Sequence, residues 1–149
     1  MNPYIDFNFY KYNNDFHIIK MTINNITVTP LNWLYTQDYI IENLKKVQNN
    51  NDVNKIILYF DINHINLNTS KSMIDDFSKI IKNHIKPMID KIYGSFIFVD
   101  KNIIHLFMNI FKQYYKPVKP LFIINEEKID NSILNDLLQN KDNINEYKC

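Results

Sequence analysis

The chain opens with a regular alternation of apolar and polar residues. Positions 4–12 alternate in this way, and a period of two predicts a half-buried edge strand. A polar turn at 13–15 leads to a second apolar run at 16–23, which we expect to extend into a short strand at 26–28. Because a short turn joins antiparallel neighbours, the first two strands should form a β-hairpin.

Two amphipathic helices are predicted from apolar residues spaced three and four positions apart. The first begins after Thr29, an N-cap residue followed by proline, and ends in the loop at 49–51. The second begins after Thr69 or Ser70 and ends or kinks at Pro87. The apolar positions that should face the core are Leu31, Leu34, Tyr35, Tyr39, Ile40, Leu44 and Val47 in the first helix, and Met73, Ile74, Phe77, Ile80, Ile81 and Ile85 in the second.

Three continuous apolar runs, at 55–60, 93–99 and 121–124, predict strands that are buried on both faces. Helical segments at 102–115 and 130–139 follow the last two runs. Right-handed crossovers should make these strands parallel. The predicted fold is therefore α/β in the order ββαβαβαβα: one mixed, largely parallel sheet with helices packed on it and an N-terminal hairpin.

The size and charge of the chain restrict its class. At 149 residues it fits one domain, which we place at 1–140, followed by a polar tail at 141–149 that should fray. The net charge is +1 and all 17 basic residues are Lys, so a nucleic-acid surface is not expected. No apolar run reaches the ~18 residues of a transmembrane helix, and no signal peptide opens the chain, so a cytoplasmic location is expected. The use of Asn, Ile and Lys without Arg or Ala is typical of an AT-rich genome, such as that of a large DNA virus, a protist or a mycoplasma.

Metal ions, cofactors and nucleotides find no recognisable site in the sequence. The four histidines are scattered and lack a second ligand at helical spacing, and Cys149 is a lone terminal residue. These histidines are His17, His64, His84 and His105. Gly94 is the only glycine, which excludes the glycine-rich loops that cradle phosphates. We therefore predict a protein with no metal, no cofactor and no enzymatic activity.

Carboxylates are the remaining candidates for chemistry. Asp61 and Asp100 each follow a predicted buried strand, where open α/β sheets place ligand-binding groups. Ending a strand is the simpler interpretation of both residues. Asp75 and Asp76 fall near the start of the second helix, where we expect them to complement the helix dipole rather than act as a catalytic pair.

The segment 102–115 is more apolar than a helix covering a sheet requires. Leu106, Met108 and Tyr115 widen its apolar stripe beyond the ~100° that such a helix buries. The stripe itself consists of Ile103, Ile104, Phe107, Ile110, Phe111 and Tyr114. The excess has three interpretations: the helix covers additional core, it closes an apolar cavity, or it presents an apolar patch to a partner.

The run from 55 to 125 resembles the CRAL-TRIO lipid-transfer family, particularly its BCH-type branch. The segments that carry the resemblance are KIILYFDINHINL, HIKPMIDKIYGSFIFV and IFKQYYKPVKPLFII. Lys86 stands where the family has the Tyr of a Tyr-Pro turn, Gln113 stands where it has a proline, and the family's preceding helical domain has no counterpart here. The resemblance implies a mobile gate at 102–115 over a lipid pocket, or a protein-interaction module.

The STAS domain is the rival resemblance, through DINHINLNTSKSM and a similar element order. It implies a regulatory phosphorylation site at or next to Ser70. Thr69 replaces the family's Asp, and His64 and Ser72 replace its glycines.

Three functional hypotheses follow from these patterns and from what the two resemblances imply. The first is a module that binds a lipid or another apolar small molecule through Ile103, Phe107, Ile110, Phe111 and Tyr114. The second is a protein-interaction or homodimerisation module, and the third is a STAS-type switch at Ser70.

Overall fold

The computed structural model describes residues 2–64, 71–98, 121–124 and 146–147. Over these ranges the chain is an α/β fold with one mixed sheet, which confirms the predicted fold class. The strands are β1 (Ile5–Lys11), β2 (His17–Ile23), β3 (Ile56–Asp61), β4 (Ile92–Phe98), β5 (Leu121–Ile124) and β6 (Glu146–Tyr147). The helices are α1 (Pro30–Gln48), α2 (Lys71–Ile85) and a 3₁₀ helix (Lys86–Lys91).

The strands lie side by side in chain order from β1 to β6. β1 and β2 form the predicted antiparallel hairpin, with Phe7 opposite Met21. The pairs from β2 onward are parallel, with Ile19 opposite Leu58 and Leu58 opposite Ser95. Crossovers that all step in one direction with the same hand place their helices on one face, and α1 and α2 do pack against each other and share one core.

Hydrophobic clusters cover both faces of the sheet. The larger cluster joins α1 and α2 to the sheet and includes Ile40, Leu44 and Leu58, all at most 1% exposed. The smaller cluster lies on the other face. Its buried members are Phe16, Ile18, Ile57, Tyr59 and Phe96. Burial on both faces explains why the sequences of β3 and β4 are continuous apolar runs.

Local polar contacts form the predicted turns and helix ends. Asn13 Oδ1 accepts the N–H groups of Asp15 and Phe16, both at 2.8 Å, which closes the hairpin turn. Thr29 caps α1 by accepting the Asn32 N–H at 3.1 Å. α2 ends at Ile85, and Pro87 lies in the first turn of the 3₁₀ helix that follows.

Two details differ from the sequence prediction or add to it. The strand expected at 26–28 is wrong: β2 ends at Ile23, and the Ile26 N–H donates to Asn24 O at 2.9 Å in a tight turn. Within the expected polar tail, Glu146–Tyr147 forms β6, parallel to β5. The helices predicted at 102–115 and 130–139 lie outside the described residues and stay predictions.

Candidate binding surface

Three apolar side chains of α1 face solvent. Leu31 is 65% exposed, Leu34 is 61% exposed and Tyr35 is 39% exposed. The prediction that these residues face the core is therefore wrong. The residues of α1 that are buried are Asn32, Trp33, Thr36, Ile40, Leu44 and Val47.

Specific contacts on the buried side fix this rotation of α1. The Trp33 indole N–H donates to Asp76 Oδ2 on α2 at 3.0 Å, and the Trp33 ring meets the Tyr4 ring edge-on at 6.5 Å. The Thr36 hydroxyl accepts the Tyr4 N–H at 2.8 Å. Near the start of the helix, Asn32 Nδ2 donates to Asn2 O at 2.6 Å. These contacts join α1 to α2 and to the segment that precedes β1, so the opposite side of the helix faces outward.

We define the α1 outer surface as Leu31, Leu34, Tyr35 and Asp38. The first three residues have the i, i+3, i+4 spacing of one helix face, and Asp38 lies one turn after Leu34 and Tyr35. Asp38 is exposed and forms no ion pair within the described part of the chain. The next acidic residue on this side, Glu42, lies 4.0 Å from Lys46. The surface is thus apolar with an acidic margin.

Tyr35 is held in place by its neighbour Tyr39. The two rings stack at 6.3 Å with an angle of 15° between their planes. The Tyr39 hydroxyl donates to Asp6 Oδ1 at 3.1 Å and accepts the Phe7 N–H at 3.3 Å. Burial raises the pKa of Tyr39, and the hydrogen bond to Asp6 raises it further, while the bond to Phe7 acts in the opposite direction. Tyr35 therefore rests on a ring that is anchored to β1.

The predicted carboxylate sites have structural partners where the structure describes them. Asp61 Oδ1 accepts the Asn63 N–H at 3.2 Å, the turn contact of a residue that ends a strand. Asp75 and Asp76 lie beyond the first turn of α2, so the expected role at the helix dipole is wrong. Asp75 lies 3.6 Å from Lys79 instead, and Asp76 accepts from Trp33. In the described ranges, no three His, Cys, Asp or Glu side chains come together as metal ligands would.

The predicted ligand-binding residues lie outside the described ranges. They are Ile103, Phe107, Ile110, Phe111, Tyr114 and the candidate regulatory residue Ser70. Asp100 lies outside them as well, so the proposed lipid pocket and the phosphorylation switch stay predictions. The α1 outer surface was missed because the i, i+3, i+4 spacing of its residues is also that of a core-facing stripe, although they lie opposite Ile40 and Leu44 on the helix. Its one signal in the sequence was that α1 carries more apolar positions than one stripe uses.

No protein-family model, curated protein or solved structure matches this chain. The CRAL-TRIO and STAS resemblances accordingly stay predictions. Among the helices that the structure describes, none combines the length and the apolar character needed to cross a bilayer.

Proposed function

We propose that this chain is a non-catalytic binding module that docks a partner protein through the α1 outer surface. The observation that carries the proposal is the exposure of Leu31 and Leu34, at 65% and 61%, side by side on a helix whose opposite side is buried. Exposing two neighbouring leucines and a tyrosine has no benefit for folding, but it supplies the central anchors of an interface.

The spacing of the anchors indicates the shape of the partner site. Residues at i, i+3 and i+4 of an amphipathic helix insert together into an apolar groove. The stacking of Tyr35 on Tyr39 supports the proposal because it holds one anchor in position before binding, which lowers the entropy lost in the complex. The partner should therefore offer a groove rather than a flat face.

The charge beside the anchors indicates the chemistry of the groove. Asp38 follows the apolar anchors and lacks an ion pair within the described residues. A Lys or Arg at the rim of the groove would complement it and steer the encounter. The same carboxylate disfavours an anionic membrane surface, which favours basic residues around an apolar face. A protein groove with a basic rim is thus the occupant to which we commit.

Site-specific photo-crosslinking in the native cells tests the proposal. A photoreactive phenylalanine replaces Leu34 in the full chain, and mass spectrometry identifies the crosslinked peptide. We expect one protein to be crosslinked through an apolar segment with a nearby Lys or Arg. The matched control places the same group at Lys82, an exposed position on α2, and should not capture that protein.

Surface variants complete this test with the purified partner. Leu31→Asp should abolish binding, and Asp38→Lys should weaken it about tenfold through the lost charge pair. Both positions are exposed, so the melting temperature should stay unchanged. Identical crosslinks from positions 34 and 82, or full binding by Leu31→Asp, would contradict the proposal.

A lipid or another apolar small molecule beneath 102–115 is the second candidate function. The excess of apolar residues in that segment favours it, and burial of an acyl chain at about 0.8 kcal/mol per CH₂ would supply the affinity. Organic extraction of the protein purified from cells, followed by mass spectrometry, tests it. A near-stoichiometric lipid is the expected result, and extracts without lipid would overturn this candidate.

A further inference from the structure

Within the residues that the structure describes, the outer edge of β1 is an open strand edge. β1 is the first strand of the sheet and, among the described strands, pairs only with β2. In an antiparallel pair, successive residues direct their N–H and C=O groups to opposite sides. Tyr12 donates its N–H to Phe16 O at 2.9 Å across the hairpin, so Phe9 and Lys11, which alternate with it, direct theirs outward.

Tyr39 closes the first part of this edge. Its hydroxyl accepts the Phe7 N–H at 3.3 Å and lies 3.4 Å from the Phe7 carbonyl oxygen. Asp6 Oδ1 accepts the hydroxyl proton and also lies 3.1 Å from the Phe7 N–H. A new strand would have to displace this group before it could pair with Phe7. The open stretch therefore begins after Phe7.

The hairpin turn closes the other end of the edge. Asn13 holds the turn through its side-chain bonds to Asp15 and Phe16. Between these two closures, the backbone groups directed outward are those of Phe9 and Lys11, and Tyr10, which lies between them, is 42% exposed. Two copies of this stretch can pair in antiparallel orientation only with Tyr10 at the centre. Any other register would require pairing with Phe7, whose N–H is bonded to the Tyr39 hydroxyl, or with the hairpin turn.

We propose that a second copy of the chain pairs with this stretch, β1 against β1, about a two-fold axis at Tyr10. Phe9 of each copy then faces Lys11 of the other, and each such pair exchanges both of its N–H···O bonds. The two Tyr10 rings become cross-strand neighbours, and no lysine faces a lysine. A two-fold axis makes the interface self-complementary, so the same short stretch supplies both sides.

Disulfide trapping tests the register of this dimer. In the Cys149→Ser background, Tyr10→Cys places two thiols opposite each other, where Cα atoms about 4.5 Å apart permit a disulfide. We expect a covalent dimer on mild oxidation. The matched control is Asn8→Cys on the same exposed face, where the two thiols would lie about 13 Å apart along the strands and should stay reduced.

Sedimentation of the unmodified chain supplies the second measurement. We expect a monomer–dimer equilibrium whose dissociation constant rises about tenfold or more in Tyr10→Asp, because two carboxylates would then face each other. A circular dichroism melt checks that the exposed substitution leaves the fold intact. A chain that stays monomeric at every concentration tested, or equal crosslinking at positions 8 and 10, would overturn the dimer. Neither result affects the α1 outer surface, which uses other residues.

Discussion

In the first two turns of helix α1, the two sides partly reverse the usual relation between polarity and burial. The inner side buries Asn32 and Thr36 at 7% and 0% exposure, whereas the outer side leaves Leu31 and Leu34 mostly in water. Asn32 and Thr36 are buried because Asn2 and Tyr4, in the segment before β1, supply them with hydrogen-bond partners. The comparison teaches that the rotation of a helix follows the contacts available to it, and that the apolar surplus can be turned outward.

The inner side is not free of cost. Asn32 Oδ1 is buried and, within the described part of the chain, is the only such side-chain atom without a hydrogen-bond partner. An unsatisfied buried carbonyl oxygen costs free energy, so the packing of the other inner residues must stabilise this orientation by more than that cost. The gain comes from Trp33, Ile40, Leu44 and Val47, which pack into the larger cluster.

The largest expected effect separates the two sides by the same substitution. Leu44→Ala should lower the free energy of unfolding by about 2–5 kcal/mol, because Leu44 is fully buried and leaves a cavity. Leu34→Ala should change it by less than about 0.5 kcal/mol. Urea unfolding followed by circular dichroism measures both. Equal losses of unfolding free energy in the two variants would mean that Leu34 is buried, which would contradict the difference between the two sides.

The contact between α1 and α2 should have the next largest effect. Asp76→Ala removes the acceptor of the Trp33 indole N–H and should cost about 1.5 kcal/mol. Its neighbour supplies the control, because Asp75 is half exposed and, among the described residues, forms its ion pair with exposed Lys79, so Asp75→Ala should cost less than about 0.5 kcal/mol. If both variants unfold at the same urea concentration, the Trp33 bond does not fix the helix rotation.

The N-cap of α1 should matter less, since it belongs to neither side. Thr29→Ala removes the acceptor of the Asn32 N–H and should cost about 1 kcal/mol. Thr29→Ser keeps the hydroxyl and should stay close to the parent in the same thermal melts. A serine variant as unstable as the alanine variant would assign the effect to the methyl group instead.

The smallest expected effect is a pH dependence of the free energy of unfolding, caused by Tyr39, which lies at the margin between the two sides of α1. The pKa of Tyr39 is raised in the folded chain, chiefly by burial, so the unfolded chain releases this proton first. The free energy of unfolding should therefore fall as the pH rises above about 10. Tyr39→Phe should show a shallower fall in urea titrations at pH 8 and pH 11. Parallel curves for the two proteins would contradict the raised pKa.

The order of elements was predictable because each signal is local. The alternation that gave β1, Thr29 before Pro30, and Pro87 after α2 each act within a few residues, and the structure confirms all three. The strand expected at 26–28 failed because the Ile26 N–H finds a closer partner in Asn24. A local preference is predicted well until a neighbouring group competes for the same hydrogen bond.

The sequence by itself determined the fold class, the hairpin and the length of α1, since periodicity and capping are properties of short segments. Only the tertiary structure decided which side of α1 faces the core. Leu31, Leu34 and Tyr35 fit the helical period as well as Trp33, Thr36 and Ile40 do, and the two sets lie on opposite sides of the helix. Partners distant in sequence, Tyr4 and Asp76, selected the second set and left the first to the solvent.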